Sequence, residues 1–321
     1  MTNQKEKIII LIGPTAVGKT KTSIELAKKY NGEIISGDSM QIYKGMDIGT
    51  AKITKEETEG ISHHLIDIKE PDESFSTAEF QTIVREKITE ISSKGKLPII
   101  VGGTGLYIQS VLFDYQFSNA PSDDDFRYHL EKRAKVEGNV CIHKELQVVD
   151  PVSAGKIHPN NIRRVIRALE VYHCTGKTMT EWQSKQELES VYNAAVIGLT
   201  MDRDLLYKRI NQRIDMMMDN GLLEEVRGFC DKGLQNCQSM QAIGYKEFYP
   251  YFDGLITLDE AVDQLKQNSR RYAKRQLTWF RNKLDVSWID MSEALDSKGF
   301  HKKINEIYVT IEGKLKIKSN T

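Results

Sequence analysis

Near the start of the chain, Gly13-Pro14-Thr15-Ala16-Val17-Gly18-Lys19-Thr20 matches the pattern GxxxxGK[ST]. Its neighbours make the match informative. Ile8-Ile9-Ile10-Leu11-Ile12 ahead of it is a continuous apolar, β-branched run, as in a strand buried on both faces of a parallel sheet. Behind it, Lys21 to Tyr30 reads as a helix. A chance match to the pattern is expected about once per hundred chains of this length, before the flanking strand and helix are required. A casual glycine turn is therefore a much weaker reading than a phosphate-binding loop. The chemistry is direct. Glycines let successive backbone N–H groups turn inward around an anion, and the helix start adds its positive dipole end. Lys19 would set an ammonium on terminal phosphate oxygens, and Thr20 would offer its hydroxyl to Mg²⁺. The motif specifies a phosphate or diphosphate ester and leaves open which one.

The rest of the first third repeats the alternation. Glu33 to Ser36 is a second strand, Leu65-Ile66-Asp67-Ile68 a third, and Leu97-Pro98-Ile99-Ile100-Val101 another, ended by Gly102-Gly103. Ser76 and Glu79 have capping-box spacing and open a helix reaching about Ser92. The expected class is α/β, with a mostly parallel sheet. From Ser118 to about Glu189 the chain turns polar and charged, with helical spacing, before Ala194-Ala195-Val196-Ile197-Gly198-Leu199 returns as a buried strand. That block is either an insertion or a peripheral helix layer of a single domain. We carry it as an inserted helical domain, 118–189, within a core of 1–117 and 190–312. The chain after Thr200 reads as mainly helical, and 313–321 as a polar tail.

Lys+Arg and Asp+Glu are both 45, so the formal net charge is zero. Binding nucleic acid through bulk charge usually needs a basic protein, so any such partner must be met by local patches. The four cysteines (Cys141, Cys174, Cys230, Cys237) form no CxxC pair, which suggests neither a zinc site nor a disulfide framework. Met1 to Lys7 is polar and does not read as a signal peptide, and no apolar run approaches the ~20 residues of a membrane span. These features lead us to expect a cytoplasmic protein without a membrane or an obligate protein partner.

In open α/β sheets, loops at the carboxyl ends of strands converge on the ligand. Gly37-Asp38-Ser39-Met40-Gln41-Ile42-Tyr43 and Gly102-Gly103-Thr104-Gly105-Leu106-Tyr107 occupy such positions. Alone, each is also ordinary turn chemistry. Two segments could hold RNA. Asn160 to Arg167 carries Arg163, Arg164 and Arg167 and no acid. Asp263 to Lys283 carries seven Lys/Arg against one acid, interleaved with Tyr272, Trp279 and Phe280. Basic residues among aromatics suit a single-stranded loop, while a solvated helix face over a buried stripe fits the aromatics equally well. Arg209 and Arg213 are candidates to close over phosphates.

Taken in order, Gly13–Thr20, Gly37–Tyr43 and Gly102–Tyr107 resemble the signature of bacterial tRNA dimethylallyltransferases. Arg164-Val165-Ile166-Arg167-Ala168-Leu169-Glu170-Val171, Gln241-Ala242-Ile243-Gly244-Tyr245-Lys246-Glu247 and Lys274-Arg275-Gln276-Leu277-Thr278-Trp279-Phe280-Arg281 resemble later motifs of that family. The matches run from about residue 8 to about 285. One departure is Met40, where many members carry another side chain.

The resemblance implies a P-loop NTPase-like fold and transfer of a dimethylallyl group to the exocyclic amine of the adenosine 3′ of the anticodon, with diphosphate leaving. The implied partners are the tRNA anticodon stem-loop and dimethylallyl diphosphate, with Mg²⁺ at Thr20. By resemblance Asp38 is the base and Thr104 a second catalytic contact. Arg213 joins the phosphate loop. Asp38, Ser39, Met40, Gln41, Thr104, Arg127, Arg163, Arg164, Val165, Ile166, Arg167, Gln241, Gly244, Tyr245, Lys274, Arg275, Gln276, Thr278, Trp279 and Arg281 meet the RNA. A small-molecule kinase, an adenylate isopentenyltransferase and a nucleotide-dependent RNA-binding switch are the rival readings.

Overall fold

A computed structural model describes residues 5–115, 117, 123–183 and 189–317. The chain divides into two compact units, one formed by Met1–Leu112 and Ser190–Thr321, the other by Phe113–Glu189. The first unit begins with β1 (Lys7–Ile12), α1 (Lys19–Tyr30), β2 (Gly32–Ser36), β3 (His63–His64), α2 (Thr77–Ser93), β4 (Leu97–Gly102) and α3 (Gly105–Leu112). The second unit is helical: α4 (Asp124–Glu137), α5 (Asn139–Val149), α6 (Pro151–Lys156), α7 (Ile162–Thr175) and α8 (Met179–Gln183). The first unit resumes with β5 (Asn193–Thr200), α9 (Arg203–Asp219), α10 (Leu222–Asp231), α11 (Tyr249–Phe252), α12 (Leu258–Lys283), β6 (Ser287–Asp290) and α13 (Ser297–Leu315).

The sheet has six strands in the order β3-β2-β4-β1-β5-β6, all parallel. β1 sits between β4 and β5, with Ile10 opposite both Ile100 and Val196. Each of Ile8 to Ile12 is fully buried, which is why β1 reads as an unbroken apolar run. The chain leaves β1 towards β2 and returns through β4, then crosses to β5. The carboxyl end of β1 is thus a topological switch point, where such sheets hold ligands.

The expected strand at Leu65–Ile68 is not formed. β3 is His63–His64, and Leu65 and Asp67 take positive φ angles of 62° and 55°. The N–H groups of Asp67 and Ile68 turn away to the carbonyls of Gln41 and Ile42. β6 is a strand the sequence did not announce. Of its four residues only Ile289 is buried, and its pairing depends on Gly198, where a Cβ would meet the Trp288 ring at 2.6 Å. The capping box is present: Ser76 Oγ accepts from Glu79 N–H, and Glu79 accepts from Ser76 N–H at 2.9 Å. α13 continues through Gly313 to the buried Leu315, so the last helix reaches into the stretch read as a tail.

In the second unit, Leu130, Ile142, Leu146, Val165, Ile166 and Leu169 form an apolar core. Beside it lies Glu170, fully buried. Its carboxylate accepts from Arg127 Nε at 2.7 Å, Arg167 at 2.6 Å and Asp123 N–H at 2.8 Å. Among the described residues, no helix is long and apolar enough to cross a membrane.

Candidate functional site

The loop between β1 and α1 has the conformation its residues predict. Gly18, with φ 106°, caps α1 in the left-handed region. Ala16 also takes a left-handed φ of 64°, an uncommon state for a residue with a side chain, and a sign of a loop held by its surroundings. Part of that hold comes from α9, where Arg209 Nε donates to Ala16 O at 2.9 Å. Lys19 folds back over the loop, its Nζ donating to the carbonyls of Gly13 at 2.9 Å and Pro14 at 2.7 Å. Burial, then the charge of Arg213, lower its pKa to about 8, and Asp38 partly restores it. Arg213, one helical turn after Arg209, shares this field. Burial depresses its pKa, while Asp38 and Glu57 oppose the shift. Three cations, Lys19, Arg209 and Arg213, thus gather at the loop with Asp38 among them, an arrangement with unmet demand for anionic charge. Thr20 is exposed at the start of α1.

The loops after β2 and β4 join at the edge of this site. Gly37 N–H donates to Val101 O at 2.7 Å. The backbones approach so closely that a Cβ on Gly102 would lie 2.3 Å from Gly37 O, so only glycine fits there. This contact brings Thr104 to the Asp38 loop, where its Oγ1 accepts from Ser39 N–H at 3.3 Å. Asp38 is half-buried, and its Oδ1 accepts from Met40 N–H at 2.8 Å, closing an Asx turn that leaves a second carboxylate oxygen available. Gln41 is clamped by its backbone surroundings. It accepts from Ser36 Oγ at 3.1 Å and donates to Thr50 O at 3.3 Å.

Helix α12 supplies a wall that the sequence only half revealed. Gln276 is buried and donates from Nε2 to Gly103 O at 2.9 Å, while its Oε1 has no hydrogen-bond partner. It supports the Thr104 turn from behind. One helical turn earlier, the Tyr272 phenol interacts with Thr104 and Gln276. Burial, followed by Asp38, pushes that phenol up to about 12. Tyr272 was visible as one aromatic among basic residues. Its place beside Asp38 and Thr104 follows only from the helix register.

Several residues assigned to the RNA surface lie elsewhere. Val165 and Ile166 are buried in the core of the second unit, so their side chains pack and present nothing to a partner. Arg127 and Arg167 spend their guanidinium groups on Glu170. Gly244 is buried, and Tyr245 is fully buried with its hydroxyl donating to Glu225 at 2.6 Å. Gln276 is likewise interior. Trp279 is only part-exposed, because its ring fills the space at Gly105, where a Cβ would come within 2.3 Å. Arg163, Arg164, Gln241, Lys274, Arg275, Thr278 and Arg281 are exposed, as surface contacts require.

Residues 41–283 match the family model described as IPP transferase. The chain is 64% identical over 315 residues to the tRNA dimethylallyltransferase of Anoxybacillus flavithermus, covering 98% of this chain and 99% of that one. It is 62% identical over 317 residues to the tRNA dimethylallyltransferase of a Bacillus cereus strain, covering 99% and 98%. Among solved structures, the full-length tRNA isopentenylpyrophosphate transferase from Bacillus halodurans is similar with a TM-score of 0.74 at 55% identity, covering 97% of both chains. A eukaryotic dimethylallyltransferase, seen in crystallographic snapshots acting on tRNA, is similar with a TM-score of 0.80 at 31% identity, covering 95% of this chain and 80% of that one.

Proposed function

Because the chain belongs to the IPP transferase family, we propose that its site carries out dimethylallyl transfer from dimethylallyl diphosphate to the N6 amine of the adenosine 3′ of the anticodon. The chain is a transferase that modifies tRNA by prenylation. The residues suit that chemistry. Breaking the allylic C–O bond puts negative charge on the departing diphosphate and positive character on the allyl carbon. Lys19, Arg213 and the loop N–H groups lie where they would stabilise the growing anion. The adenine amine is a weak nucleophile, since its lone pair is delocalised into the ring. As the N6–C1 bond forms, the Asp38 carboxylate accepts the amine proton, a contribution of about 10²–10⁴-fold for a positioned base. Thr104, joined to Ser39, orients the reacting end of the donor.

The oxygen-only character of the donors suits Mg²⁺, which binds through one or two protein oxygens plus phosphate oxygens and water. Among the described residues, no cluster of three or more His, Cys, Asp or Glu could cage a metal by itself. Mg²⁺ would be held by Thr20 and the donor's own diphosphate, and it supplies charge neutralisation of the leaving group. The acceptor is extruded from the stacked anticodon loop, as reaching a base amine requires. Ser39, Met40 and Gln41 would line the extruded ring, and the exposed Arg163, Arg164, Lys274, Arg275 and Arg281 would meet RNA phosphates. We place the reaction in the cytoplasm.

The observation that carries this reading is the convergence of the Lys19 loop, Asp38 and Thr104 at the carboxyl ends of β1, β2 and β4. The test offers labelled dimethylallyl diphosphate with tRNA, an isolated anticodon stem-loop, AMP or ATP. Label on the stem-loop adenosine is expected. Label on free nucleotide alone, or transfer of a terminal phosphate, would reject the reading.

A further inference from the structure

The segment 38–52, which follows β2, has almost no regular secondary structure, yet it carries Asp38 and Gln41. Its first half pairs by backbone with 67–69, and its second half, 46–52, is held largely by side chains. One carboxylate holds three successive N–H groups of that half. Glu225, on α10, accepts from Asp47 N–H at 3.0 Å and Ile48 N–H at 2.8 Å through Oε2. Through Oε1 it accepts from Gly49 N–H at 3.0 Å and from the Tyr245 hydroxyl at 2.6 Å. Three successive N–H groups turned to one side form an anion-binding concavity, and Glu225 fills it from within the protein.

Tyr245 seals the same point by shape. A Cβ on Gly49 would lie 2.6 Å from the Tyr245 ring, so the loop backbone rests directly on the aromatic face. The Gly244 N–H is in turn held by the buried Glu247 at 2.9 Å, and Glu247 also accepts from Asn268 of α12 at 2.9 Å. The far end of the clamped stretch reaches the site. Thr50 O and Ala51 O accept from Gln41 Nε2 at 3.3 and 3.5 Å, and Ala51 O also accepts from Arg213 at 3.5 Å.

We propose that Glu225, with Tyr245, is a positioning residue that fixes the loop carrying Asp38 and Gln41, and so sets where the acceptor base sits without touching either substrate. The inference rests on the prenyl-transfer reading above. The Gln241–Glu247 segment thereby acquires a definite role, since Tyr245 holds the residues that face the base and does not itself face RNA.

Two variants test it: Glu225→Gln, which puts an amide N–H₂ where an acceptor is needed, and Tyr245→Phe, which removes one hydrogen bond and keeps the ring. Glu224→Gln, on the exposed side of the same helix, is the control and should behave as wild type. For Glu225→Gln, kcat/KM for the stem-loop should fall about 10–100-fold, the scale expected of a misplacement near 1 Å. Affinity for inorganic diphosphate should stay within about threefold, because Arg209 holds the Lys19 loop and the clamp meets Arg213 by one 3.5 Å contact at Ala51 O. Amide exchange at 47–49 should speed up in the same variant. Tyr245→Phe should show the same pattern at about a tenth of the size, and it keeps the question answerable if Glu225→Gln does not fold. Unchanged kcat/KM despite faster amide exchange overturns the positioning role. Surviving amide protection in Glu225→Gln overturns the clamp. Diphosphate affinity falling as far as kcat/KM marks a general structural loss and also overturns it. A wild-type protein that labels no RNA would overturn the reading of the reaction instead, while the amide exchange still reports on the clamp.

Discussion

The lowered pKa of Lys19 makes diphosphate binding a proton-linked event. In the free protein Lys19 titrates near pH 8, since burial and Arg213 oppose its charge more than Asp38 supports it. An anion against Nζ favours the charged form and raises the value again. The sign follows: below about pH 7 the loop is already protonated and binding takes up no proton, whereas above about pH 8 it must gain one. With a free-loop pKa of about 8, affinity should be about twofold weaker at pH 8 and about tenfold weaker at pH 9 than at neutral pH, with uptake of about 0.5 and about 0.9 proton. Isothermal titration with inorganic diphosphate, in buffers of different ionisation enthalpy, measures both quantities. Lys19→Arg is the reference, because a guanidinium does not titrate in this range, and it removes the ligand's own titration from the comparison. The expected result is an excess uptake in wild type centred near pH 8. Equal proton uptake by wild type and Lys19→Arg from pH 7 to 9 would refute the idea that the loop holds a desolvated, readily deprotonated lysine.

Three further outcomes follow from the same structure. Asp38→Ala should lose about 10²–10⁴-fold in kcat and bind diphosphate within about threefold of wild type; near-normal turnover by single-turnover assay would remove Asp38 as the base. Arg163→Glu, at an exposed position on α7, should raise KM for the stem-loop and flatten its salt dependence by about one unit of slope, and an unchanged KM argues against that patch. Glu170→Gln should destabilise the second unit by about 2–3 kcal/mol, less than a fully buried pair would give, because Arg127 and Arg167 are 38% and 35% exposed. Burial pushes the Glu170 carboxyl up, but Arg167, Asp123 N–H and Arg127 outweigh it, so its pKa ends below the ordinary value. Its contribution is therefore present above the ordinary carboxylate range and lost as pH falls through the lowered value. Denaturant unfolding should show the gap between wild type and Glu170→Gln closing in acid.

The parts of the fold governed by local rules were legible. β1, β2, β4 and β5 are largely buried parallel strands whose composition admits little else, and the phosphate loop and the Ser76 cap are spelled in nearby residues. The misses share a different cause. β3 and β6 are edge strands of two and four residues, too short for periodicity, and Leu65–Ile68 is apolar because Leu65 is buried in an irregular loop. At the site, motif matching singles out Asp38, Thr104 and Lys19, and each sits on its own strand-end loop. Motif membership alone does not separate a surface residue from a packed one, as the buried Val165, Ile166 and Tyr245 show. Arg167 and Tyr245 pair with carboxylates of the protein itself, the buried Glu170 and the half-buried Glu225. Both carboxylates are distant in sequence from at least one group they hold, a pairing that one sequence does not disclose.

Helix α12 shows why the site depends on register as well as on composition. Its start is set by a capping box, Thr257 with Glu260, and its inner face by Ala261, Leu265, Ser269, Ala273 and Phe280. With those fixed, Asn268, Tyr272 and Gln276 fall at intervals of four and share one stripe of the helix. Asn268 holds Glu247 and through it the Gly244 turn against Gly49, Tyr272 meets Thr104, and Gln276 holds Gly103. One continuous helix thus joins the brace of the Asp38 loop to the Thr104 loop and fixes the spacing between them. A slip of one residue would turn the stripe by about 100° and break all three contacts together. The basic residues that drew attention to this segment, Lys274, Arg275 and Arg281, lie outside that stripe and are exposed, with Arg275 over the Tyr272 ring and Arg281 over the Trp288 ring.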